Sequence, residues 1–73
     1  MFKAKVRLDT QSEVARFVHL VSGVGAPVYL TAKDLKVSGK SLLGALYTME
    51  WDEIWCECEK DIYRLIDDFI IVE

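Results

Sequence analysis

Apolar and polar residues alternate strictly from Phe2 to Leu8. Phe2, Ala4, Val6 and Leu8 fall on one side and Lys3, Lys5 and Arg7 on the other, the period-2 signature of a strand buried on one face. Asp9-Thr10-Gln11-Ser12 breaks the alternation, and Thr10 or Ser12 is placed to cap a helix by accepting from its free backbone N–H groups. From Glu13 to Ser22 the period changes. Val14, Phe17, Val18 and Val21 recur at three- and four-residue spacing, which gives one apolar helical face. Small Ala15 is expected to permit close packing, with Arg16 and His19 on the flank. Gly23 is a helix terminator, and Gly25 with Pro27 marks a loop. Val28-Tyr29-Leu30-Thr31 predicts a second strand with Val28 and Leu30 inward, and Leu35-Lys36-Val37 a third. The three-residue turn Ala32-Lys33-Asp34 between them makes an antiparallel hairpin. Ser38-Gly39 ends it. Lys40 to Tyr47 predicts a short helix with Leu42, Leu43 and Leu46 as its apolar side. After the connection Met49-Glu50-Trp51, residues Glu53 to Glu59 alternate again, with Ile54, Cys56 and Cys58 opposite Trp55, Glu57 and Glu59. Asp61 is placed to cap a last helix through about Phe69, with Ile62, Leu65, Ile66 and Phe69 inward. The β-branched residues of Ile70-Ile71-Val72 are expected to leave that helix and cover an edge of the core.

The predicted order is strand, helix, strand, strand, helix, strand, helix (βαββαβα). Helices on one face of an antiparallel four-stranded sheet make an open-faced α+β sandwich. The 73 residues allow one domain, residues 1–73. At 52% hydrophobic, the chain can build a thin core without staples. No apolar run reaches the roughly 18 residues of a spanning helix, and Met1-Phe2-Lys3-Ala4-Lys5 lacks a signal-peptide core. Cys56 and Cys58, one residue apart on a strand, project the same way about 6–7 Å apart. That spacing makes a poor disulfide, so both are expected as reduced thiols in a cytoplasmic protein. They lack a third ligand for a metal, and no cofactor is expected. Charge is uneven: residues 1–48 carry +4 and residues 49–73 carry −7, for −3 in all. An acidic whole argues against nucleic acid as a partner, and the two halves are expected to neutralise each other on folding.

Three segments resemble the histidine-containing phosphocarrier family (HPr) of the sugar phosphotransferase system. Ala15-Arg16-Phe17-Val18 is similar to the body of that family's first helix. Ala26-Pro27-Val28-Tyr29-Leu30 through Val37-Ser38-Gly39-Lys40-Ser41-Leu42-Leu43-Gly44 runs without gaps alongside its second hairpin and Lys-Ser-hydrophobic-hydrophobic-Gly segment. Glu53-Ile54 resembles the start of its last strand. The resemblance implies an HPr-like sandwich with strand order 1-4-2-3. That order sets the basic row Lys3, Lys5, Arg7 beside the acidic Glu57 and Glu59, and opposite cross-strand pairs contribute roughly 0.2–1 kcal/mol each.

The family's chemistry sits on a loop after the first strand, Gly-hydrophobic-His-small-Arg-Pro. There imidazole accepts a phosphoryl group beside a helix N-terminus and an arginine. Here the corresponding residues are Asp9-Thr10-Gln11-Ser12-Glu13. They include no histidine or arginine, and Glu13 puts a negative charge where phosphate would arrive. The one histidine, His19, lies on the helix flank. Ser41 matches the serine that a dedicated kinase phosphorylates in Gram-positive members, and it is a candidate modification site; its alternative role is a helix cap. Arg16, Phe17, Lys40, Ser41, Leu43 and Tyr47 form a candidate partner face. By strand phase, Tyr29, Trp51 and Trp55 are expected on the outer sheet face, either as an interface, including self-association, or as cover beneath lysine stems.

The leading expectation is an HPr-like, non-catalytic regulatory or protein-binding module, linked to the phosphotransferase system through the resemblance, with protein partners that the sequence leaves unnamed. One alternative is a working phosphocarrier with an atypical site, such as His19. Another is a structural or oligomeric subunit that uses the outer sheet face.

Overall fold

Four antiparallel strands form one sheet in a computed structural model that describes residues 1–72. They are β1 (Phe2–Val6), β2 (Val28–Ala32), β3 (Leu35–Ser38) and β4 (Ile54–Cys58), in the order β1-β4-β2-β3. Helices α1 (Gln11–Val21) and α2 (Leu42–Tyr47) complete a compact α+β open sandwich, with the sheet order that the sequence resemblance implied.

The strand phases are those of the alternation. Val6, Val28, Leu30, Ile54, Cys56 and Cys58 are buried on the inner face with Val14, Phe17 and Val21 of α1. Lys3 pairs with Glu57 and Lys5 with Trp55 across β1–β4. The Lys3 ammonium stands 3.7 Å from Glu57, and Lys5 stands 3.8 Å from Glu53. The basic and acidic rows therefore do meet. Leu8, two residues past β1, is still buried. Small Ala15, by contrast, is exposed, because α1 buries its 14/17/21 stripe, flanked by the partly buried Val18 and Leu20.

The hairpin is tighter than expected. Ala32 pairs with Leu35, so the turn is the two residues Lys33-Asp34. Lys33 takes φ 53, the left-handed conformation that a two-residue hairpin turn demands, at some cost for a non-glycine residue. Gly39 follows β3 at a point of close approach. A Cβ there would lie 3.0 Å from Val28 Cγ1 and 3.3 Å from the Val28 carbonyl oxygen, a tight fit that Val28 would have to relieve by a few tenths of an ångström, while the Gly39 N–H donates to that carbonyl at 2.7 Å.

The last predicted helix does not form. Asp61 Oδ1 accepts from the Tyr63 N–H at 2.9 Å, a local turn that competes with helix. One turn closes on the Ile62 carbonyl, and a 3-10 turn follows over Asp67–Phe69. Ile62, Ile66 and Phe69 are buried as their spacing predicted, but Leu65 is not. A helix of about nine residues is marginal alone, and here the free edge of β1 competes for the backbone. The Arg7 N–H donates to the Phe69 carbonyl at 2.8 Å, the Ile71 N–H donates to the Lys5 carbonyl at 2.9 Å, and Ile70 bridges Val6. Of Ile70-Ile71-Val72, expected to cover a core edge, Ile70 packs against the core, Ile71 is held to β1 by its backbone, and Val72 is exposed.

Candidate functional site

The loop between β1 and α1 is built to start a helix. Thr10 Oγ1 accepts from the Glu13 N–H at 3.1 Å, and Glu13 Oε1 accepts from the Thr10 and Asp9 N–H groups at 3.1 Å each. This reciprocal capping box consumes donors that an incoming anion would need. Arg7 is ion-paired with Asp9 at 3.7 Å, both exposed. His19 sits exposed in the last turn of α1, far along the helix from that loop. Residues 7–13 contain no histidine.

The six residues of the candidate partner face separate. Phe17 is fully buried, its ring edge-on to Phe69 with centroids 5.5 Å apart, so it belongs to the core and not to a face. Arg16 bonds Asp68 Oδ2 at 2.9 Å, and its guanidinium lies 4.8 Å from the Phe69 ring centre. It ties α1 to the C-terminal segment. Lys40, Ser41, Leu43 and Tyr47 remain together along α2 and its approach. Ser41 is exposed and caps α2, its Oγ accepting from the Gly44 N–H at 3.1 Å. The Lys40 ammonium donates to the Val24 carbonyl at 2.6 Å, which pins the start of α2 to the loop after α1.

The apolar side expected for α2 is largely outside. Leu42 is 49%, Leu43 69% and Tyr47 58% exposed, while Ala45 is wholly buried. The reason is the small pair Gly44-Ala45. A Cβ at position 44 would lie 3.4 Å from the Cβ of Val37, so the helix lies close on β3 through its small residues and turns its leucines away. Leu46 alone of the three packs partly on the core. Leu43, Leu46, Tyr47 and Glu50 line a shallow recess of about 290 Å³. Leu42 is a surface residue that periodicity assigns to the apolar side. The Gly-Ala pair was the available signal, since small residues mark the side of closest helix packing.

On the outer sheet face, Tyr29 and Trp55 are diagonal neighbours across β2–β4. The Lys36 ammonium lies 4.1 Å from the Tyr29 ring centre and Lys3 lies 5.5 Å from that of Trp55. Both rings thus have lysine cover. Glu57 sits between them and accepts from Thr31 Oγ1 at 2.8 Å. Trp51 is not part of this group. It lies before β4 and packs against the core, because the strand phase that placed it outside begins only at Ile54.

Cys56 and Cys58 are buried free thiols. Burial, reinforced by Cys58 and Glu57, pushes the Cys56 thiol up to about 12, so it is a core residue and a poor nucleophile. Among the described residues, no group of three or more His, Cys, Asp or Glu side chains is placed to hold a metal, and no helix is long and apolar enough to cross a membrane. No family model matches the chain, and no curated protein or solved structure matches it either.

Proposed function

We propose that this protein is a non-catalytic binding module whose working surface is α2, an HPr-like domain without the phosphocarrier step. The observation that carries this reading is the exposure of Leu42, Leu43 and Tyr47 on a helix held in place at both ends. Ser41 caps one end, and at the other the Thr48 hydroxyl donates to the Ala45 carbonyl at 2.6 Å. Large apolar side chains fixed on a rigid element mark binding surfaces. The capping box at α1 and the lack of a histidine beside it argue against phosphoryl transfer. The resemblance to the phosphocarrier family makes regulatory proteins of the phosphotransferase system the first partners to test.

A second reading concerns Ser41, which is exposed on this same surface. Phosphate there would add two negative charges beside Leu42 and Leu43 and change which partners bind. Two measurements test these readings. Incubation with phosphoenolpyruvate and enzyme I is expected to leave no acid-labile phosphate on the chain; label on His19 would overturn the non-catalytic assignment. Treatment with the serine kinase and mass spectrometry is expected to place a single phosphate on Ser41, and an unmodified chain would remove that second reading.

A further inference from the structure

The two edges of the sheet are not equivalent. The β1 edge is closed over Lys5 to Arg7 by the backbone of residues 69–71, while β3 ends the sheet on the other side. The hairpin register fixes which groups of β3 point outward. Leu35 faces Ala32 and Val37 faces Leu30, and the Gly39 N–H donates to Val28. These positions exchange bonds with β2, so the alternation leaves the N–H and C=O of Lys36 directed off the sheet, together with the N–H of Ser38.

The same edge has an apolar overhang. α2 runs back over β3, with position 44 against Val37, and Glu50 and Trp51 beyond its end line a recess with Leu35. Each helical residue turns the side chain by about 100°. Ala45, one step from Gly44, faces the core with no exposure. Leu43, one step the other way, therefore faces away from the core, above the open edge, and Tyr47 follows it one turn on. Leu35, itself 51% exposed, lies on the strand below them. Unpaired backbone groups thus run beside a row of exposed apolar side chains.

We propose that β3 and α2 together accept an extended segment of another protein as a fifth strand, one that alternates acidic and apolar residues. The inference takes the binding reading of α2 as its premise and names the kind of partner. The apolar residues of the segment meet Leu43, Tyr47 and Leu35 on the inner face, and the backbone bonds Lys36. On the outer face the residue opposite Lys36 is acidic, because opposite charges stabilise a cross-strand pair and like charges destabilise it. The same rule disfavours a second copy. A two-fold axis through Lys36 sets lysine against lysine, and a register that pairs Lys36 with Asp34 requires extended backbone where Asp34 is in the turn; an axis at Val37 pairs Lys36 with Ser38, whose carbonyl already accepts from the Ser41 N–H at 3.3 Å. Lysine on a short edge strand is a guard against self-pairing and becomes an attraction for an acidic strand.

The test is to pan random eight-residue peptides displayed on phage against the full chain, then measure amide hydrogen exchange with the enriched peptides bound. Enriched peptides are expected to alternate acidic and apolar residues and to slow exchange at Lys36 by about tenfold or more. Lys36→Glu is expected to weaken binding about threefold or more, with Lys36→Arg close to wild type. Lack of enrichment over the bare support overturns the proposal. So do peptides that bind while Lys36 exchange is unchanged; if those are lost on Leu43→Lys, the α2 surface stands and strand addition alone falls. Slowed Lys36 exchange on raising the protein concentration without peptide would assign the edge to a second copy and overturn the proposed occupant.

Discussion

α1 and α2 differ in length, in what they bury and in how they begin. α1 has eleven residues and puts Val14, Phe17 and Val21 entirely out of solvent. α2 has six residues, and of these only Ala45 is wholly buried. A free helix of six residues does not hold in water, so α2 depends on contacts made by small groups: Gly44 over Val37, the Ser41 cap and the Thr48 hydroxyl. In α1 the large apolar side chains hold the fold. In α2 small groups do so together with Leu46, while Leu42, Leu43 and Tyr47 stay exposed. Exposed leucine is therefore not a packing defect here, because the residues that hold the helix are others.

Substitutions can break this contrast. The largest effect is expected from Phe17→Ala, which removes the side chain shared by α1, the sheet and Phe69. It should cost about 3–5 kcal/mol in urea unfolding; a cost under about 1 kcal/mol would mean that α1 is not the structural helix. Next is an alkaline effect from the core. Folding raises the Cys56 thiol from 9.0 to about 12. Between those values the folded chain holds a proton that the unfolded chain gives up, so the stability present below pH 9 falls as pH rises toward 12. The urea midpoint should drop from about pH 8 to about pH 10.5, and by less in Cys56→Ala. The caps come third. Thr10→Ala loses a reciprocal box and should cost about 1–2 kcal/mol, against about 0.5–1 kcal/mol for the single bond lost in Ser41→Ala. Equal costs would erase the distinction between the two starts. Smallest is Leu43→Ser, expected to change stability by less than about 0.5 kcal/mol. A large loss would show that Leu43 supports the fold and is not free to bind.

Much of the scaffold is legible in the chain. The alternation at 2–8 and 53–59 identifies the strands and their inner faces, and the 14/17/21 spacing identifies the buried stripe of α1. The Thr10-x-x-Glu13 pattern satisfies the capping box. These features are local: each period or cap is complete within a few residues, and burial on one face follows from it directly. The candidate site was less legible. Phe17 and Arg16 share the expected partner face with Ser41, whereas one is core and the other is clamped to Asp68. Trp51 precedes β4, so the strand phase does not reach it and it packs on the core. Leu42 counts toward the apolar side of α2 by hydrophobicity alone, yet it is exposed because the small Gly44-Ala45 pair takes the packed side; Leu43 is exposed, as its place on the candidate partner face requires.

The sequence by itself determined the order of elements through α2 and β4, the inner and outer sets of strand residues, and the absence of a histidine beside the start of α1. Period and residue type suffice for these. Only the tertiary structure decided the fate of the C-terminal segment, where bonds to the open edge of β1 displaced a helix, and which side of α2 meets water. Both outcomes depend on groups distant in the chain competing for the same backbone or the same close contact; the Gly44-Ala45 pair marks the packed side of α2, but no local pattern encodes the winner at the C-terminal segment.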